Sequence, residues 1–255
     1  MILQQPTTQQ LDAFASPHIA SMRRVWWQLD GSSAFRTATQ AGDMYSTYNY
    51  AHLPPFHPPT PMSTQQPHHH DYSILSNEII QRISPSFPQH NAPSINMTPH
   101  FTPETPPSLV QLFSMCAFWG APNGICHYWL NNTYGPLQRY MPTNEFYLFP
   151  FYHDQQECIT WFALADIKVR DGSIGSALNP CVVSGINSEQ IEADDYFSTN
   201  ALNLNDLHFV SPSIEEFLWR NYLEDQIVHE LFVHQTPIQD LSGEMADYVN
   251  HYRNL

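Results

Sequence analysis

His153, Asp154 and Cys158 fall within six residues and could supply a base, an orienting carboxylate and a thiol nucleophile. A strand over residues 157–164 (ECITWFAL) sets Cys158, Thr160 and Phe162 on one face. Ile159, Trp161 and Ala163 take the other, which makes Cys158 an ordinary sheet residue. No glycine-framed turn or helix N-terminus precedes it to lower the thiol pKa. We therefore expect no catalytic residue, and a cysteine-dependent hydrolase using Cys158 and His153 is the lesser alternative. The polar run from His153 to Glu157 reads as a hairpin turn or bulge.

Two other clusters have the residue types for metal chemistry. Glu192, Asp194 and Asp195 make the densest acidic group, in SEQIEADDYFSTN. A calcium loop needs alternating oxygen ligands, a central glycine and a closing glutamate, and that spacing is absent. The sequence reads instead as a solvated acidic loop or a contact surface for a basic partner. His68-His69-His70 could hold a transition metal adventitiously, but adjacent residues on a coil point in different directions. A Gly-rich phosphate loop, HExxH, GxSxG and paired-cysteine zinc pattern are all missing, so no cofactor or metal is expected. The four cysteines (Cys116, Cys126, Cys158 and Cys181) sit far apart in apolar settings. They read as buried free thiols, with one disulfide such as Cys116–Cys126 as the alternative.

Charge narrows the partner. The chain of 255 residues has only nine Lys and Arg against 24 Asp and Glu, a net of −15. Residues 1–107 account for −2 of this, and residues 108–255, with 18 acids and five bases, for −13. Such a surface repels phosphate backbones and anionic lipid and attracts a basic protein. Neither nucleic acid nor membrane is expected as a partner. The opening MILQQPTTQQ has neither the positive stretch nor the long apolar run of a secretory leader, and cytoplasmic residence is expected.

The elements that must carry these residues divide the chain at two places. Residues 51–107 contain 13 of the 22 prolines and seven of the 14 histidines, and read as a mostly irregular linker. Within it, 76–83 is a candidate short helix. Residues 1–50 are hard to assign. Their clearest feature is a strand and turn at RRVWWQLDG, whose tryptophans need a surface, most simply the second half of the chain.

From Ser108 onward the pattern is that of a folded domain. Residues 108–120 read as a helix with a Ser108/Gln111 capping box. Strands follow at 145–152, 157–164, 179–185 and 207–211. Residues 213–234 form a long amphipathic helix, capped by Ser211 or Ser213 with Glu216 at the capping-box position. Its apolar stripe is Ile214, Phe217, Leu218, Tyr222, Leu223, Ile227, Val228 and Leu231. A tail helix is expected at 242–252. The fold class is α+β, an antiparallel meander flanked by helices on one face.

This succession resembles the SUKH superfamily, which includes cell-wall-assembly regulators and bacterial toxin-immunity proteins. The matching features, over residues 104–235, are Gln155-Gln156, Trp161, Pro180 with Val182, and the serine-initiated helix Ser213-Ile214-Glu215-Glu216-Phe217-Leu218. Only Gly120 and Gly124 stand for the family's Gly-rich stretch, and the N-terminal part has no counterpart. The resemblance implies a non-enzymatic module that binds a protein, with a toxin as one class of partner. A Pro-rich adaptor or regulatory scaffold is the alternative. The expected contact residues are Glu192, Asp194, Asp195 and Tyr196, together with Asp154, Gln155 and Gln156.

Overall fold

Aromatic and β-branched residues fill the two longest strands, and these form the centre of the fold. A computed structural model describes residues 17–27, 47–49, 53–56, 105–115, 121–122, 127–130, 137–140, 145–154, 159–166, 180–186 and 207–253. Strands β6 (Phe146–Asp154) and β7 (Ile159–Asp166) pair antiparallel. Beside β7 lies β8 (Cys181–Ile186), and beside β8 lies β9 (Leu207–Ser211), both antiparallel to their neighbours. The consecutive strands β6 to β9 are therefore the expected meander. Pro150 has no amide hydrogen to donate, and the ladder between β6 and β7 shifts register between Pro150 and Tyr152. The shift turns Tyr152 to the same face as Phe151.

The flanks differ from a simple meander. β1 (Arg23–Trp27) lies on the free side of β9 and runs parallel to it, with Arg23 opposite His208 and Arg24 opposite Phe209. The short β2 (Thr47–Asn49) pairs antiparallel with β1. On the other side, β4 (His127–Leu130) and β5 (Leu137–Tyr140) pair with different halves of β6, and β3 (Ala121–Pro122) pairs with β4. The described strands thus make one mixed sheet, ordered β2-β1-β9-β8-β7-β6-β4-β3 with β5 also on β6. The all-antiparallel expectation fails at the β1–β9 junction. A parallel neighbour needs a long crossover, and here the chain between the two strands contains most of the domain.

The sheet is also covered on both faces. Alternate residues Phe149, Phe151, Ile159, Trp161, Ala163, Ala165 and Val182 pack with the helices α2 (Pro107–Met115), α3 (Ile214–Phe232) and α4 (Gly243–Arg253). The opposite residues Phe146, Leu148, Phe162, Leu164, Cys181, Val183, Leu207 and Phe209 form a second buried cluster. Ile19, from the short α1 (Pro17–Ser21), and Met22 join it. A meander solvated on one side would alternate polar and apolar residues, whereas β7 is buried at all eight positions. Val25, Trp26 and Leu53 belong to the helix-side core, so that core draws on residues well ahead of Ser108.

The helix starts follow local chemistry, with one correction. At α3 the Ser213 Oγ accepts the Glu216 amide at 3.1 Å, from an extended backbone of φ −152° and ψ 158°. That is the expected cap. In α2 the Ser108 capping box does not form. Pro107 takes the first helical position, where its missing amide costs nothing. The Pro106 carbonyl accepts the amides of Leu109 and Val110, each at 3.0 Å. The buried Ser108 Oγ has no hydrogen-bond partner. Residues 116–120 and the 76–83 segment lie outside the described residues. The tail helix forms at α4, one residue later than expected at each end.

Candidate functional site

Of the residues first singled out for chemistry, His153 and Asp154 lie among the described residues. Asp154 ends β6, in register with Tyr128, and His153 lies opposite Trp129 and Thr160. Cys158, Gln155, Gln156, Glu192, Asp194, Asp195 and Tyr196 lie outside the described residues, as do His68, His69 and His70. Among the described residues, no group of three or more His, Cys, Asp or Glu could hold a metal ion. No described helix is long and apolar enough to cross a membrane.

The densest buried chemistry lies on α3. Glu216, Arg220 and Glu224 recur at four-residue steps, which places them along one line of the helix. All three are buried, Arg220 at 2 % exposure and Glu224 at 0 %. Arg220 donates from Nε at 2.8 Å and from Nη2 at 2.7 Å to the same oxygen, Glu216 Oε1. One turn on, Glu224 accepts the Tyr248 hydroxyl at 2.7 Å through Oε1 and the Trp26 indole N–H at 3.3 Å through Oε2. Asn221 donates to the Phe217 carbonyl at 2.9 Å.

These bonds connect three separated segments. Trp26 comes from β1, Glu224 from α3 and Tyr248 from α4, so one carboxylate joins the N-terminal strand to both C-terminal helices. Phe217, the apolar neighbour of the row, sits among four rings: Trp26 at 5.8 Å, Phe151 and Tyr152 each at 5.5 Å, and Trp161 at 6.1 Å. Burying that ring contributes about 3 kcal/mol. The Glu224 carboxylate faces no solvent, and both its oxygens accept from side chains of the same protein. This geometry orients elements.

The apolar stripe of α3 is therefore only part of its buried surface. Ile214, Phe217, Leu218, Leu223, Ile227 and Val228 are buried as the spacing predicts, with Tyr222 and Leu231 partly so. Glu216, Trp219, Arg220, Asn221 and Glu224 are buried as well. The sequence carries a signal for this, because Glu-x3-Arg-x3-Glu is interleaved with FLW and NYL, leaving little of the helix wholly polar.

Cys181 also belongs to the interior. Its thiol lies 3.8 Å from the Leu164 carbonyl, to which it donates, and it is a free thiol as the sequence predicts. Burial pushes its pKa far above the usual thiol range and keeps it protonated.

Solvent-facing acids gather at the C-terminal end. Asp240, Glu244 and Asp247 are exposed, and Asp225 and Glu230 are partly so. Between Arg220 and Arg253 the sequence has no Lys or Arg at all. This acidic stretch was not among the expected contact residues, although its lack of basic residues is plain in the sequence. No protein-family model matches the chain, and no curated protein or solved structure is significantly similar to it.

Proposed function

We propose that this chain is a non-enzymatic binding module of the SUKH type whose partner is a basic protein, in the manner of an immunity protein that neutralises a toxin. The observation that carries the reading is the charge asymmetry, a net of −13 concentrated in residues 108–255. A field of one sign raises the rate of encounter with an oppositely charged partner and discourages wrong ones. Support also comes from the order of elements, in which a Pro-preceded helix, a meander and a serine-capped helix follow one another. The proposed contacts are Glu192, Asp194, Asp195 and Tyr196 with Asp154, Gln155 and Gln156, extended by the exposed Asp240, Glu244 and Asp247.

The test is capture of basic proteins by the full chain at about 0.1 M and about 1 M salt, where the screening length falls from about 10 Å to 3 Å. Capture at low salt that is lost at high salt, and weakened by Asp194→Asn with Asp195→Asn or by Asp240→Asn with Asp247→Asn, is the expected result. Failure to capture any basic protein at either salt would remove the reading.

The density of prolines in residues 51–107 favours a second reading, an adaptor that presents extended proline-rich segments to an aromatic groove. Binding that follows this segment and ignores the acidic substitutions would select it.

A further inference from the structure

At the C-terminal end of α3, two imidazoles are brought together by the way the helix stops. The His229 carbonyl accepts the amide of Val233 at 2.9 Å and that of His234 at 3.2 Å. Gln235 then takes a left-handed conformation, φ 54°, at a position where glycine is the usual choice. The turn is held by Thr236, whose amide donates to the Glu230 carbonyl at 2.9 Å and whose hydroxyl donates to Glu230 Oε2 at 2.7 Å. His234 is thereby folded back over His229, with ring centroids 4.8 Å apart and planes 75° to each other.

We propose that His229 and His234 form a chelating pair for a transition-metal ion of the Cu2+ or Zn2+ class. A metal–imidazole nitrogen bond of about 2.0–2.1 Å puts the ring centroid about 3.2 Å from the ion. Two such rings with their centroids 4.8 Å apart subtend about 97° at the ion, between octahedral and tetrahedral angles. A flip about the outer torsion exchanges ring nitrogen and carbon positions, so either assignment is open to each ring, while the backbone turn sets their separation. His229 is half-buried and His234 exposed, so an ion reaches them without any opening of the core. The carbonyl end of a helix favours positive charge, and the stretch between Arg220 and Arg253 that carries the pair has acids and no Lys or Arg in its sequence. Two protein ligands leave the remaining coordination positions to water or to a donor from another molecule.

This pair is separate from the His68–His70 tract, and the experiment must keep the two apart. The full chain with H68Q, H69Q and H70Q is titrated calorimetrically with Cu2+ and with Zn2+, alone and with H229Q or H234Q added. One ion per chain is expected in the tract-replaced protein, with Cu2+ bound more tightly than Zn2+. Each single substitution at the pair should weaken binding at least about tenfold, since a chelate is lost. Near-UV circular dichroism checks that the variants keep the fold, and H234Q, at an exposed position, serves if H229Q disturbs the helix end. If the tract-replaced chain binds no ion, or binds it equally well with H234Q, the pair is a ring contact alone and the proposal is overturned.

Discussion

The two faces of the sheet are both buried, yet they are built on different principles. The face toward α1 contains an apolar cluster: Phe146, Leu148, Phe162, Leu164, Val183, Leu207 and Phe209, with a protonated Cys181 among them. The helix-covered face mixes aromatic rings with two carboxylates and a guanidinium. Apolar packing is non-directional and tolerates exchange of similar volumes. The Trp26–Glu224–Tyr248 contacts are directional and satisfied in one arrangement of β1, α3 and α4. Stability is available from either face, whereas the relative placement of three distant segments is specified by the polar one.

The largest expected effect tests whether that polar row is desolvated as its burial implies. Arg220→Ala removes the buried ion-pair partner of Glu216, and denaturant unfolding should show a loss of about 3–5 kcal/mol. Replacing both partners, Glu216→Leu with Arg220→Met, should cost much less than the single change. Similar losses for the two would mean that packing, not charge, holds the row. On the apolar face, Leu164→Ala should cost about 3 kcal/mol through lost burial and a cavity. An effect much smaller than that would show the second face to be looser than its burial indicates. Tyr248→Phe removes one donor from a buried carboxylate and is expected to cost about 1–3 kcal/mol. Ser213→Ala removes only the α3 cap, for about 1 kcal/mol by the same measurement.

The smallest effect is absent at neutral pH. Cys181 stays protonated in the folded protein, while an unfolded thiol ionises near pH 8.5. The folded state is then the one that retains the proton, so stability falls as pH rises above about 8.5, and is unaffected below it. Cys181→Ala should make the alkaline fall in unfolding free energy shallower. Equal slopes for the two proteins would place the thiol in contact with solvent.

Much of the architecture was legible because it is local. Aromatic and β-branched runs marked β6, β7, β8 and β9, and a serine with acids behind it marked the start of α3. The RRVWW strand was also legible, and so was the need of its tryptophans for a surface. What local pattern could not supply was the partner: β1 lies beside a strand almost the whole domain away in sequence, in a parallel pairing that no turn residue announces. The two-sided burial of β7 was hidden for a related reason, since ITWFALAD is apolar throughout and its alternation says nothing about which faces are covered. At the candidate site, four-residue spacing of Glu and Arg on a helix is shared by solvated and buried rows. The flanking tryptophan and tyrosine were the only local sign of which one this is. The acidic cluster at 192–195 stood out by density in the sequence, while the longer stretch after Arg220 is sparser and is defined by missing bases.

The β1–β9 junction also sets a timetable. Arg23 and its partner His208 are 185 positions apart in the chain. At a synthesis rate of about 5–20 residues per second, β1 leaves the ribosome on the order of ten to forty seconds before β9 exists. Throughout that interval β1 has only the three-residue β2 for a neighbour and its other edge is unpaired, and unpaired edges of apolar strands are where nascent chains aggregate. The two arginines that begin the strand, Arg23 and Arg24, are half of the four Lys and Arg in the first 107 positions, and they give the waiting strand a charge that keeps copies of it apart.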